Sequence, residues 1–144
     1  MTASTVQNVK DQKDILRIAQ IGAMAEGRRK RGEDKMFFVE KLEEMADIVN
    51  NMAKTYDTEE MEKDDKIVAL HYFMSDRDYY IIEKDMEEDE PQYQAYGIYK
   101  IASTMDSFKF GYICIAELIK YGAELDLYFE PRTIGELRAE GVDI

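Results

Sequence analysis

Cysteine is almost missing from this chain, and that scarcity is the first constraint on what it can be. The single cysteine, Cys114, has no internal partner, so a disulfide scaffold is excluded and a reducing compartment suits the free thiol. Zinc clusters built on paired cysteines go with it. Histidine is also limited to one residue, His71, set between Leu70 and Tyr72 with no Cys, Asp or Glu at ligand spacing, and such a histidine reads as structural. No glycine-rich run is arranged to cradle phosphate, and no nucleophile has an activating base legible beside it. An enzyme is not expected on these grounds, and neither a metal nor a cofactor is. Long apolar runs are missing too. Ile67 to Leu70 is typical, far short of the ~20 residues of a membrane span. The polar opening Met1-Thr2-Ala3-Ser4-Thr5 lacks the apolar region of a secretory signal, so a cytoplasmic location with no membrane partner is expected.

What is present is the material of a folded domain. A hydrophobic fraction of 45% and an aromatic fraction of 11% over 144 residues suffice for a core. The charge is lopsided: 31 Asp and Glu face 19 Lys and Arg, giving a net charge of -12. That balance repels a phosphate backbone at long range, which disfavours general nucleic-acid binding and favours a basic partner.

Periodicity divides the chain. From about Val9 to Tyr56 the apolar spacing is helical. Ile15, Leu16, Ile18, Ala19, Ile21, Ala23 and Met24 form one broad face, Gly27 can end that helix, and Asp34 suits the N-cap of the next. In the second helix Phe38, Leu42, Met45, Val49, Met52 and Tyr56 alternate spacings of four and three, an a/d seam of under three heptads. A helical hairpin is expected over residues 1–65, its seam packed internally or shared with a second copy. The charged stretch from Thr55 to Asp65 reads as the hinge to the second half.

From Lys66 the period shifts toward two. Strands are expected over Ile67 to Met74, Tyr79 to Asp85, Tyr93 to Ile101, Lys109 to Ile115 and Glu124 to Glu130. Ser75-Asp76-Arg77-Asp78 is a turn, Ala116 to Tyr121 a short helix closed by Gly122, and Thr133-x-x-Glu136 a capping box. The fold class is therefore α+β: an N-terminal helical hairpin, then over residues 66–144 an antiparallel β-meander of about five strands with one or two short helices.

Several short motifs fall in order along the second half. Tyr79-Tyr80-Ile81-Ile82-Glu83 is an aromatic-plus-acidic strand and Tyr96-Gly97 an aromatic–glycine pair. Gly111-Tyr112-x4-Glu117-Leu118 follows, then Asp126-x-x-Phe129-x-Pro131. Over Lys66 to Leu137 the chain resembles a small domain of unknown function encoded on phages, plasmids and conjugative elements, often near antirestriction genes. It departs at Lys109-Phe110, where the family usually carries an acidic residue and Leu. The resemblance implies a mobile-element setting and a fold, and lends no activity.

Three charged or apolar groupings are candidates for function. The first is acidic: Asp76, Asp78, Glu83, Asp85, Glu87, Glu88, Asp89 and Glu90 face only Arg77 and Lys84 in the same stretch. Residues on one strand face repeat at about 6.6 Å, close to the phosphate spacing of a nucleic-acid strand, so this surface suits a groove that normally holds DNA or RNA. The bland reading is a solvated hairpin and loop. The second is Arg28-Arg29-Lys30-Arg31 between Gly27 and Gly32, suited to phosphate, to an acidic protein patch or to the chain's own acids. The third is the seam Phe38, Leu42, Met45, Val49 and Met52, a possible dimer interface. Cys114, between Ile113 and Ile115, reads as core, as do most of the ten tyrosines.

The leading expectation is a mobile-element or phage accessory protein that binds and inhibits a host nucleic-acid-handling defence complex, in an anti-CRISPR or antirestriction role. Its partner would be a protein or ribonucleoprotein with a basic groove. Direct nucleic-acid contact is expected only through Arg28 to Arg31. A dimerising regulatory module of a mobile element is the alternative. A metal-dependent nuclease using Asp76, Asp78, Glu83 and Asp85 is a further one.

Overall fold

A computed structural model describes residues 35–87 and 92–144 of the chain. The expected first helix, the basic cluster Arg28 to Arg31 and the acids Glu88, Asp89 and Glu90 lie outside the described residues. The chain divides into two compact units, Met1–Asn51 and Met52–Ile144.

In the first unit, α1 spans Lys35–Asn51. Its buried side chains include Met45, Ala46 and Val49, while Glu40, Glu43, Glu44 and Asp47 face solvent. That pattern is the amphipathic periodicity that drives a helix to pack one face. The helix ends sooner than the seam spacing suggests, because Met52 and Tyr56 fall beyond it. Residues 53–55 leave helical geometry to pair with a strand: Lys84 N–H donates to Ala53 O at 2.9 Å, and Thr55 N–H donates to Lys84 O at 2.8 Å.

The second unit is built on a five-stranded antiparallel sheet. Its strands are β2 (Leu70–Met74), β3 (Arg77–Glu83), β4 (Ala95–Ile101), β5 (Lys109–Ile113) and β6 (Glu124–Leu125), ordered β5-β4-β3-β2-β6. The first four form the expected meander. The last does not continue it. β6 is only two residues long and crosses to the opposite edge, beside β2, where Tyr72 pairs with Leu125. The run from Asp126 to Glu130 is irregular, because Asp126 turns the chain by accepting Tyr128 N–H at 3.0 Å. Ile67 also leaves the expected first strand. β1 (Ile67–Val68) pairs with β7 (Arg132–Thr133) in a separate two-stranded ladder.

The short helices follow local signals. α2 (Ile115–Lys120) ends near Gly122, whose φ of 95° is the left-handed conformation that suits glycine. α3 (Ile134–Ala139) opens on a reciprocal capping box between Thr133 and Glu136. One face of the sheet packs Tyr80, Ile82 and Ile98 with Val68, Phe129, Ile134 and Leu137 into a core. Gly97 is required in β4, since a Cβ there would stand 2.0 Å from the Tyr80 carbonyl oxygen.

Candidate functional site

The described acids do not form one charged face. Asp76 accepts Ser103 N–H at 3.0 Å, and the hydrogen bonds from Ser103 hold its carboxyl below the usual range. Asp78 lies 2.9 Å from His71 Nε2, with Asp126 at 3.0 Å from Nδ1. His71 is therefore the link between β2, β3 and the turn after β6, with its ring stacked on Tyr80 at 4.5 Å. Asp126, 55 residues along the chain, and Asp78, across a tight hairpin, were invisible as partners at local spacing. Asp85 is buried and accepts from Glu87 and Gln94 N–H groups at 3.0 and 3.2 Å. Of the acidic run, Glu87 is exposed. Among the described residues no group of three or more His, Cys, Asp or Glu is placed to hold a metal ion. Of the apolar seam, Met45 and Val49 are buried, and the side chains of Phe38 and Leu42 lie outside the described residues. Cys114 occupies the N-cap of α2 and is half-buried.

Glu83 holds the most structured position. Strict alternation from Tyr80 would put residue 83 on the opposite face of β3, with Ile81. The register slips between Ile81 and Glu83, so that Ile81 pairs with Gly97 but Glu83 pairs with Tyr96. This bulge returns Glu83 to the Tyr80 face, a familiar use of an extra residue to re-aim a side chain. At 3% exposure the carboxylate cannot rely on water, and three donors satisfy it. Tyr56 N–H reaches Oε1 at 3.1 Å, while Thr58 N–H and Oγ1–H reach Oε2 at 3.0 and 2.5 Å. Lys66, also buried, donates Nζ to Thr58 O at 2.5 Å and to Thr58 Oγ1 at 3.2 Å. Thr58 thus relays between a buried cation and a buried anion.

That network fixes the turn after α1 and with it Tyr56. Tyr56 is a non-glycine residue at φ 75°, a left-handed conformation costing on the order of 1 kcal/mol. Its ring is 55% exposed, so burial does not compensate the strain. A strained, outward-facing aromatic held by a buried carboxylate is the type of feature that gathers at binding sites.

Tyr56 forms one wall of an open cleft of about 460 Å³. Tyr96, Phe110 and Tyr112 contribute the other rings, with Lys63, Glu59 and Met61 at the margins and Lys66 and Glu83 behind them. Phe110 stacks on Tyr96 at 5.9 Å and 21°, and Tyr112 meets Tyr96 edge-on at 5.8 Å. A hydrogen bond that the Tyr112 hydroxyl donates to the Tyr56 hydroxyl is the main cause of the raised pKa of the Tyr112 phenol. The three sequence motifs Tyr79 to Glu83, Tyr96-Gly97 and Gly111-Tyr112 meet here, because β3, β4 and β5 are adjacent strands. Glu83 was legible as an acid, but Tyr56, Lys66 and Phe110 were not legible as its neighbours. No protein-family model, curated protein or solved structure matches the chain.

Proposed function

We propose that this protein works by binding a macromolecular partner, and that its aromatic cleft is the anchor of the interface. One observation carries this reading: Tyr56, Met61, Phe110 and Tyr112 are exposed large apolar side chains gathered around one cleft. Scattered apolar groups on a surface mean little, but a contiguous set marks a recognition site, and tyrosine is a frequent interface anchor. The frame around it is acidic. The unit Met52–Ile144 carries 22 Asp and Glu against 10 Lys and Arg, whereas Met1–Asn51 is balanced at nine of each. A basic partner is drawn to such a unit from a distance and held by its rings at contact.

The mobile-element setting implied by the sequence motifs makes a host defence complex that handles nucleic acid the partner of this proposal. Its nucleic-acid groove supplies the basic surface, and occupying that groove inhibits it. The test is capture of such a complex by the tagged full-length chain from a host expressing its defence systems, followed by an assay of the complex's nuclease activity. Capture should survive nuclease treatment, weaken in high salt, and reduce cleavage by the captured complex. The joint change of Glu87, Glu88, Asp89 and Glu90 to Gln and Asn should weaken capture and flatten its salt dependence. Undiminished cleavage by every defence system tried would overturn the inhibitor reading.

A further inference from the structure

We infer that the cleft is the seat of a partner arginine, whose guanidinium stacks against the tyrosine and phenylalanine rings beside the Tyr56–Asp65 turn. This rests on the partner-binding reading and names the chemistry that the cleft recognises.

The rings set the first requirement. An aromatic face attracts a cation, and a planar guanidinium can also stack flat on it. The chain already demonstrates the attraction, because Lys63 Nζ stands 5.7 Å from the centroid of Phe110. Lys63 is an exposed side chain, so an incoming cation can displace it. The turn that forms the wall supplies the second requirement. Asp57, Glu59, Glu60, Glu62, Asp64 and Asp65 lie between Tyr56 and Lys66, with Lys63 the one base among them. All six are exposed and Glu59 lines the cleft; Asp64 is paired with Arg138 at 2.7 Å, and the other five leave the turn beside the cleft negative.

Lys66, at the end of the turn, does not cancel this. Lys66 is buried and its ammonium is committed to Thr58, close to the buried carboxylate of Glu83. The two are opposite in charge, so the excess charge beside the cleft is that of the exposed turn acids other than Asp64, with Glu59 among the cleft's own lining. Arginine suits the site better than lysine, since the Tyr96–Phe110 pair offers near-parallel rings and the Tyr56 and Tyr112 hydroxyls can accept from its fork of donors.

The test is an amide-proton NMR titration of the full chain with N-acetyl-arginine amide. N-acetyl-citrulline amide serves as the neutral isostere, and adenosine monophosphate as an anionic aromatic probe. Arginine should shift Tyr56, Phe110 and Tyr112 and bind about tenfold more tightly than citrulline. Tyr112→Ala, at an exposed position, should weaken the arginine probe about fivefold or more. Lys63→Ala should strengthen it, because the internal competitor is gone. Equal binding of arginine and citrulline, preference for the nucleotide, or weaker arginine binding in Lys63→Ala would each overturn the inference. The outcomes also separate the two readings. Arginine binding without partner capture sinks the partner reading alone. Capture that is indifferent to Tyr112→Ala, by a chain blind to arginine, sinks the arginine seat alone.

Discussion

Glu83 on β3 accepts the backbone N–H of Tyr56 at 3.1 Å, across 27 residues of sequence. This bond ties the buried interior of the second unit to a residue with left-handed backbone and an exposed ring. The carboxylate also takes two donors from Thr58, and Thr58 takes the ammonium of Lys66, so one interior group sets the geometry of the whole turn.

Glu83→Ala should therefore be among the most damaging single changes. It leaves three donors without an acceptor and removes the buried carboxylate linked through Thr58 to the buried ammonium of Lys66, a loss of about 3–5 kcal/mol. Glu83→Gln retains one acceptor oxygen and should cost less. Urea denaturation followed by circular dichroism measures both, and equal stability of Glu83→Ala and the parent would contradict the described network.

Tyr56→Gly separates stability from function. Glycine adopts a φ of 75° without strain, and the lost ring is mostly exposed, so the midpoint of unfolding should move by no more than about 1 kcal/mol. Binding through the cleft should fall sharply in the same variant. A large drop in stability would show that the ring supports the fold.

Gly97→Ala tests the close approach of β3 and β4. The added Cβ would meet the Tyr80 carbonyl oxygen at 2.0 Å, and backbone cannot step aside cheaply. The loss should exceed about 2 kcal/mol, at the upper part of the range for overpacking. A thermal melt close to that of the parent would contradict the Tyr80–Gly97 geometry.

Alkaline pH should destabilise the second unit through its buried phenols. Burial pushes Tyr80 up to about 12 from 10.0, and burial pushes Tyr72 upward as well. Both phenols favour the neutral form when folded, so their contribution is intact below pH 10. Above it the unfolded chain releases protons that the folded one retains, and stability falls as pH rises from 10 through 12. Tyr80→Phe should show a shallower decline of urea midpoint over that window. An identical decline would assign the effect elsewhere.

Thr133→Ala addresses a feature legible from four residues. The capping box satisfies an N–H at the start of α3 and its loss should cost about 1 kcal/mol. A midpoint shift in urea near zero would mean that solvent replaces the cap.

These sites differ in how far sequence alone could reach. The capping box, the glycine after α2 and the meander from β2 to β5 rest on local chemistry: a side chain reaching three residues, a left-handed glycine, an alternation of period two. Such signals act within a few residues and can be read there. His71 was legible as a lone histidine on a strand, but its two carboxylate partners needed the pairing of β2 with β3 and the crossing of β6 to the far edge.

The sequence by itself determined the charge, the α+β class, the order of motifs and the absence of paired cysteines. Only the tertiary structure decided what the motifs do together. A one-residue bulge turned Glu83 to the face of Tyr80, the end of α1 at Asn51 released Tyr56 from an apparent helical seam, and adjacent strands brought Tyr96, Phe110 and Tyr112 to that same place. The physical reason is that register and chain reversal are set by packing over long separations, where a shift of one residue moves a side chain to the other face.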